Sequence, residues 1–256
     1  MTALKPDENW WRLTWKERET LLQSHFGVPF PSGQVTGFFW DNPEIMIPGA
    51  CAMTFPPKCP QRIDWLTISH GLTQPLEIHK SDSTDLASGY GYEFGFLTRE
   101  HSPWCTHALY LILTYLQESK RSIDRGSRVP MWFSKDNGNT PAINLGTVPH
   151  DGPIPPLGLM SAMLFWPYMR YPGGFDTSTG YFSILLGTSI TEEEWEMAKS
   201  TSSSHLLLLL FEAGIGQVCD INRRSIIEQT QWRKRWREIQ SLSGDQADDL
   251  LLEYSP

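Results

Sequence analysis

The sequence predicts an α+β fold, a single mixed and twisted β-sheet domain with flanking helices. Three observations lead to this prediction. Segments with alternating apolar side chains outnumber segments with helical periodicity. Predicted helices separate only some of the neighbouring strands, so the sheet cannot be uniformly parallel. The 256 residues, 40% of them hydrophobic, are enough to bury a core without disulfide bonds or metal ions.

The first predicted element is a helix over residues 9–25, in which Trp11, Trp15 and Leu22 share one face. Gly27 marks the end of this helix. The many prolines between residues 28 and 60 exclude a long helix there. We therefore expect that segment to wrap around the domain as loops and short strands.

Residues 88–97 have the clearest strand pattern in the chain, and a shorter strand pattern covers residues 65–71. In the longer strand aromatic side chains alternate with residues that are mostly small or acidic, so one face is aromatic and the other lets a neighbouring segment approach closely. We expect this strand in the middle of the sheet, with Tyr92 and Phe94 buried. The aromatic face consists of Tyr90, Tyr92, Phe94 and Phe96, and the other face of Gly91, Glu93, Gly95 and Leu97.

The remaining elements of the domain follow from capping residues and apolar runs. Pro103 suits the first turn of a helix that runs to about residue 120. Thr191 and Glu194 have the spacing of a capping box, which predicts a short helix. Residues 206–211 are apolar throughout and predict a buried helix that ends near residue 214. Further strands are predicted at residues 131–134, 143–148, 159–166, 181–187 and 216–221.

The residues after 223 are predicted to form a basic amphipathic helix followed by a solvated acidic tail. Trp232, Trp236 and Ile239 lie on one helical face at i, i+4 and i+7. Burying two indoles is favourable and burying an unpaired guanidinium is not, so we expect the tryptophans to pack on the domain. The alternative is an open tryptophan face that binds a partner. The candidate partner-binding residues are then Trp232, Trp236, Arg233 and Arg237.

Charge and hydropathy restrict the partners that we expect. The net charge of -8 repels nucleic-acid phosphates and anionic lipids, so neither nucleic acid nor a membrane is expected as a partner. The sequence contains no run long enough for a membrane-spanning helix and no signal-peptide pattern at residue 1. We therefore expect a cytoplasmic protein whose sparse cysteines are reduced.

Catalytic and metal-binding motifs are not recognisable in the sequence. His101, Cys105 and His107 are neighbours, but their spacing matches no standard zinc pattern, so we expect no metal and no cofactor. The common nucleophile, metalloprotease and nucleotide-binding motifs are absent. Glu93 and His70 lie on predicted strands and could meet across the sheet. This pair leaves a hydrolase or transferase of unknown substrate as the alternative, whereas the main interpretation of Glu93 is a structural acid.

Four ordered motifs between about residues 28 and 228 resemble the suppressor of fused family. Residues 88–94, SGYGYEF, followed by Pro103 and Trp104, are similar to its SGxGxEL and PxW pattern. The other three motifs are WLTISHGLTQ at residues 65–74, YFSILLGTSITEEEW at residues 181–195, and residues 206–224. The residues that match the family's structural motifs are Gly89, Gly91, Glu93, Trp104, Asp220 and Arg223. From the sequence alone, Asp220 is expected to form an ion pair with Arg223 and Arg224 at the end of the last strand.

The resemblance implies a suppressor-of-fused-like α+β domain that binds other proteins and has no catalytic activity. Metazoan members restrain a transcription factor of Hedgehog signalling, and stand-alone bacterial members, which this chain resembles in length, are associated with immunity against toxins. We therefore expect a non-enzymatic protein-binding module of the bacterial immunity type, which neutralises a partner toxin. A basic toxin domain would fit the acidic charge. The predicted division is an N-terminal helix at residues 1–27, the domain at residues 28–228, and the basic helix with its tail at residues 229–256.

Overall fold

The computed structural model describes residues 8–30, 36–37, 49–60, 62–74, 87–119, 122–132, 143–144, 160–171 and 173–255. These residues form one mixed sheet of nine strands with six helices, which confirms the predicted α+β class. The strands are β1 (Thr36–Gly37), β2 (Cys51–Phe55), β3 (Trp65–His70), β4 (Ala87–Thr98), β5 (Arg128–Trp132), β6 (Ile143–Asn144), β7 (Met160–Pro167), β8 (Phe175–Thr177) and β9 (Gly180–Thr191). The helices are α1 (Glu8–Phe26), α2 (Trp104–Ser119), α3 (Glu192–Ala198), α4 (Ser203–Glu212), α5 (Thr230–Ile239) and α6 (Gly244–Leu252).

The sheet has the strand order β1-β2-β3-β4-β9-β7-β5-β6, and β8 pairs with β9 in addition. The pairs β4–β9 and β5–β6 are parallel, and the other neighbouring strands are antiparallel. β4 lies between β3 and β9, which confirms its predicted central position. Residues 133–134, 145–148 and 159, which the sequence also predicts to be strand, lie outside the described residues.

Helices cover both faces of this sheet. On one face, α2 packs against β4, and Phe94 and Phe96 are fully buried in the shared core. On the other face, α1 covers the β2–β3 half, where Leu22 and Phe26 pack with Ile68. The helices α4, α5 and α6 share a third apolar cluster with β7. The protein is therefore layered, with the sheet between α2 and the remaining packed helices.

The aromatic face of β4 is shorter than the alternation predicts. Phe94 is buried as expected, but Tyr92 is only half-buried and Tyr90 is 46% exposed. The reason is local backbone geometry, since Gly91 has a φ of 82° and the pairing with β9 shifts register between Ala87 and Tyr92. The close approach predicted on the other face is observed at Gly95, where a Cβ would lie 3.0 Å from the carbonyl oxygen of Thr67.

Helix α1 forms where the sequence predicts it, but its buried stripe is different. The buried side chains are Thr14, Arg18, Leu22 and Phe26, at successive intervals of four residues. Trp11 and Trp15, which were expected on the buried face, are only half-buried. The difference arises because Arg18 is buried in this stripe, where its side chain donates to the carbonyl oxygen of Thr73 beyond β3. The sequence pattern cannot show that such an acceptor is present.

The C-terminal part of the chain confirms the docked helix and corrects two expectations. Trp236 is buried and Trp232 is half-buried against the helical cluster, while Arg233, Lys234 and Arg237 are exposed, as predicted. Residues 243–252, predicted to be part of a solvated tail, instead form the capped helix α6, which packs on α4. Residues 216–221 form no strand; a single bridge joins Leu97 to Val218 there. The predicted division of the chain at residues 27 and 228 stays a prediction.

Candidate functional site

Glu93, in β4, lies at the centre of a buried polar cluster. Its Oε2 accepts a hydrogen bond from the Ser69 hydroxyl at 2.6 Å. Its Oε1 accepts three more, from the backbone N–H of Gly71 at 3.1 Å, the backbone N–H of Thr73 at 2.9 Å and the Thr73 hydroxyl at 2.8 Å. Burial raises the pKa of Glu93, and these hydrogen bonds oppose the rise because they stabilise the carboxylate. The carboxylate therefore ties the turn after β3 to the middle of the sheet.

Arg18 of α1 completes this cluster from the other side of the turn. The side chain is fully buried, and its Nε donates to the carbonyl oxygen of Thr73 at 3.1 Å. Its Nη1 donates to the carbonyl oxygen of Thr14 at 2.8 Å. Burial lowers the pKa of Arg18, and the nearby charges of Glu17 and Glu93 act in the opposite direction. Arg18 and Glu93 are two buried charges that both bond to Thr73, so their contacts are structural.

His70, the predicted catalytic partner of Glu93, is buried and makes no hydrogen bond through either ring nitrogen. Its ring instead packs edge-on against the indole of Trp15, with 4.3 Å between the ring centroids. Burial, followed by the positive charge of Arg18, lowers the pKa of His70 to about 3. A buried neutral imidazole without a hydrogen bond, and a buried carboxylate whose two oxygens both accept hydrogen bonds, do not form an acid–base pair that a substrate could reach.

An open site lies elsewhere, in a groove at the C-terminal end of β4, which we call the C-terminal groove. Its volume is about 490 Å³. Three segments form it, namely the residue after β4, the chain that follows α4, and the turn at residues 226–228 with the start of α5. The lining residues are Arg99, Ala213, Ile215, Val218, Asp220, Arg223, Arg224, Ser225, Ile226, Glu228, Gln229 and Trp232.

One wall of the C-terminal groove is fixed by an ion pair between Arg223 and Glu194. The Nη1 of Arg223 lies 2.6 Å from Oε1 of Glu194, and its Nη2 lies 2.5 Å from Oε2, so the pairing is bidentate. Glu194 is also the third residue of α3, where its carboxylate accepts from the backbone N–H of Thr191 in the predicted capping box. The acidic partner of Arg223 is therefore Glu194 rather than the expected Asp220, whose carboxylate accepts from the backbone N–H of Asn222.

Positive charge lies at the groove residue Arg224 and along α5, and we call Arg224, Arg233, Lys234 and Arg237 the basic face. All four side chains are exposed. The Nε of Arg233 donates to the carbonyl oxygen of Ile227 at 2.5 Å, and Arg224 lies 4.0 Å from Glu228. Both guanidinium groups thus reach the same short turn at residues 226–228. Glu228 is the single carboxylate within that turn.

The structure brings some of the predicted site residues together and separates others. Trp232 lines the groove together with Asp220 and Arg223, which come from the family-like motif at residues 206–224. Trp236 is 5% exposed and belongs to the helical core, so a partner cannot contact it without moving α5. The other motif residues lie away from the groove lining: Gly89, Gly91 and Glu93 are in β4, and Trp104 of α2 packs against Phe96.

Sequence reasoning missed Arg99 and Arg224 as groove residues and Glu194 as the partner of Arg223. The position of Glu194 as the third residue of a capping box was a usable signal, because such a carboxylate is fixed and already buried. No signal in the sequence pointed to Arg99, since it reaches the groove through the bridge that places Val218 beside the end of β4.

The described residues contain no group of three or more histidine, cysteine, aspartate or glutamate side chains that could hold a metal ion. His101 is exposed and packs against Trp65, whereas Cys105 is buried in the core, so these neighbours in sequence diverge in the fold. None of the four cysteines, all of which lie within the described residues, forms a disulfide bond. Among the helices within the described ranges, none is long and apolar enough to cross a membrane.

Comparison with known proteins identifies the fold. No protein-family model matches the sequence. No curated protein matches it either. Among solved structures, a chain from the crystal structure of a Sufu–Fu complex matches with a TM-score of 0.59 and 17% identity, over 90% of this chain and 97% of that one.

Two further structures show the same architecture. A putative SUFU homolog from Neisseria gonorrhoeae matches with a TM-score of 0.52 and 20% identity, over 84% of this chain and 97% of that one. Drosophila Suppressor of Fused matches with a TM-score of 0.52 and 16% identity, over 74% of this chain and 45% of that one. The resemblance to the suppressor of fused family that the four motifs suggest is therefore confirmed at the level of the fold.

Proposed function

We propose that the protein is a non-enzymatic protein-binding module whose partner site is the C-terminal groove with the adjoining basic face. In this proposal it acts in the cytoplasm as a bacterial immunity-type protein, which neutralises a partner toxin by direct binding. The observation that carries the proposal is the groove itself. It combines an apolar lining, the half-buried Trp232 and exposed arginines, and this combination is typical of sites where a partner residue is anchored.

The fold similarity supports a binding role. One of the similar structures is that of a complex between Sufu and Fu, so a chain of this fold does bind another protein. The net charge of -8 would attract a basic protein over distances longer than a contact and so accelerate its association. A basic toxin domain therefore remains the partner that we propose.

The alternative, a hydrolase or transferase that uses Glu93 and His70, gains no support from the geometry. Both side chains are buried, and the four donors to Glu93 occupy its two oxygens. Neither residue lines the C-terminal groove. An enzyme would need a reactive group that a substrate can reach.

The test is to purify the products of the genes adjacent to the gene for this protein and to measure their binding to the full chain by calorimetry. Bacterial growth is then measured with each product expressed alone or together with this chain. We expect one product to inhibit growth, and the chain to bind it and restore growth. The double variant Arg233→Glu/Arg237→Glu should lose both effects, whereas the control Arg12→Glu, at an exposed arginine of α1, should keep them.

Circular dichroism establishes that each of these variants is folded. The proposal would be abandoned if none of the products bound the chain. It would also be abandoned if a panel of hydrolase and transferase substrates revealed turnover that a folded Glu93→Gln variant lacked.

A further inference from the structure

We propose that the partner segment that occupies this site is acidic, with a carboxylate held between Arg224 and Arg233 and an apolar side chain in the C-terminal groove beside Trp232. This inference rests on the proposed function and specifies the chemistry of the segment that docks. The charge of this segment can differ from the net charge of the whole partner. The net charge of the partner governs long-range attraction, whereas the groove contacts only the few residues of the segment.

The first support is the convergence of two arginines on one turn. Arg233 is bonded to the carbonyl oxygen of Ile227, and Arg224 lies 4.0 Å from Glu228 in the same turn. The side chain of Arg224 is 83% exposed, and that of Glu228 is 52% exposed. A pair at this distance in water is weak, so Glu228 leaves much of the positive charge available. Each guanidinium group keeps N–H donors that a carboxylate can accept through paired hydrogen bonds.

The second support is the difference between the rim arginines and the arginine of the wall. Arg223 has its charge neutralised by the bidentate contact with Glu194, and its side chain is 9% exposed. It therefore shapes the groove and does not contribute a free charge. Arg235 is similarly paired, with Glu212 and Glu238. The exposed cations here are Arg99 in the groove lining and the four residues of the basic face. They outnumber the exposed carboxylates of the lining, Asp220 and Glu228, so positive charge is in excess at this surface of a chain of net charge -8.

The third support is an apolar anchor site next to these charges. Ala213, Ile215, Val218 and Ile226 line the groove with Trp232, and Trp232 is half-buried. An apolar side chain placed there would lose water on several sides, and the arginines would flank it as a charged rim. A short acidic peptide with one apolar or aromatic residue satisfies both features. A long nucleic acid does not, because its phosphates would extend over the rest of an acidic protein.

The experiment selects binders without assuming their sequence. Short random peptides on phage are selected on the intact protein and counter-selected on the double variant Arg224→Gln/Arg233→Gln. A synthetic copy of each enriched peptide is then titrated against both proteins and against Arg12→Gln, and the Trp232 indole N–H is followed by NMR. We expect enriched peptides to contain Asp or Glu beside an apolar residue and to shift the Trp232 signal. The double variant should bind them about tenfold more weakly or worse, and Arg12→Gln should bind them as the original chain does.

Three results would overturn the inference, namely no enriched peptide, neutral or basic enriched peptides, and equal affinity for the double variant. A single-stranded DNA oligonucleotide is titrated in parallel. If it bound more tightly than the peptides, and the double variant lost this binding, the site would belong to nucleic acid instead. If a toxin partner lost binding to Arg233→Glu/Arg237→Glu but was insensitive to Arg224→Gln/Arg233→Gln, the proposed function would stand and this inference alone would fall.

Discussion

Glu93 and Arg18 show how single buried charges can organise this fold. The carboxylate of Glu93 has four hydrogen-bond donors, and two of them are backbone groups of Gly71 and Thr73. Arg18 binds the carbonyl oxygen of the same Thr73, so the two charges hold the turn from opposite sides. The sequence favours Glu93 as a structural acid, because one glutamate and one histidine on predicted strands are too little to indicate catalysis. It did not predict Arg18, because an arginine on a helix is usually exposed.

The amide of Glu93→Gln has one oxygen where the carboxylate has two, so some of the four donors lose their acceptor. It also removes a negative charge that opposes the pKa depression of Arg18. We therefore expect the free energy of unfolding to fall by about 1–3 kcal/mol, as measured by urea denaturation. The matched control is Glu100→Gln, at an exposed position after β4, which should change little. An unchanged midpoint for Glu93→Gln would contradict the structural role.

The pKa of His70 predicts a defined pH dependence of stability. In the folded protein this pKa is lowered to about 3, and in the unfolded chain it is about 6.5. Between these values the unfolded state binds one more proton, so stability falls as the pH is lowered below about 6.5. We expect His70→Leu to remove about 1.4 kcal/mol per pH unit from this slope, measured by denaturation between about pH 4 and 7. Identical slopes for the two proteins would mean that His70 takes up a proton in the folded protein as readily as in the unfolded chain.

At the scale of elements, the C-terminal helices show which patterns a sequence reveals. The orientation of α5 follows from its tryptophan stripe and basic residues, and the structure has that orientation. The acidic residues of α6 are typical of a solvated tail, and they predict one here. The prediction is wrong because Ala247 and Leu251, which lie between them, are buried. Ser243 and Gln246 have the spacing of a capping box, and this signal could have predicted the helix.

Two tryptophans of α5 should respond differently to truncation, because Trp236 is buried and Trp232 is half-buried at the groove. We expect Trp236→Ala to lower the free energy of unfolding by about 3–5 kcal/mol through the loss of core packing. Trp232→Ala should cost clearly less while it weakens partner binding. Denaturation curves for both variants provide the comparison. An equal loss of stability would show that Trp232 is as much a core residue as Trp236.

Strand predictions succeeded or failed according to pairing. The alternation of side chains in β4 predicts a strand with two different faces. In the structure both faces are covered, since Phe94 and Phe96 pack in one apolar cluster and Leu97 in another. Residues 216–221 were predicted to be a strand from the same kind of pattern, but a strand needs a partner along its length. Here the backbone N–H of Cys219 donates to the carbonyl oxygen of Leu97 at 2.7 Å, and Val218 forms the single bridge. The apolar side chains of Cys219 and Ile221 are buried without a strand, because they belong to the core cluster that β4 shares with α2.

At the scale of the whole molecule, the class of fold could be predicted and the site only in part. Periodicity identified the sheet, α2 and the docked α5, since each has one face that must be buried, and the continuous apolar run identified α4. The C-terminal groove joins residues that are distant in sequence, such as Arg99 and Trp232. Its existence depends on how β4, the chain after α4, and α5 meet. Trp232 and Arg223 could be selected from their local patterns, but their shared location could not.

Hydrogen exchange of the complex tests the central claim, that a protein partner binds at the C-terminal groove and its basic face. The full chain is labelled in deuterated water with and without its partner, and the exchange of backbone amides is compared by mass spectrometry. We predict slower exchange in the bound state for peptides that cover residues 213–237 and the residues around Arg99. Protection confined to α1 or to the β1–β2 edge of the sheet, with unchanged exchange at residues 213–237, would contradict the account.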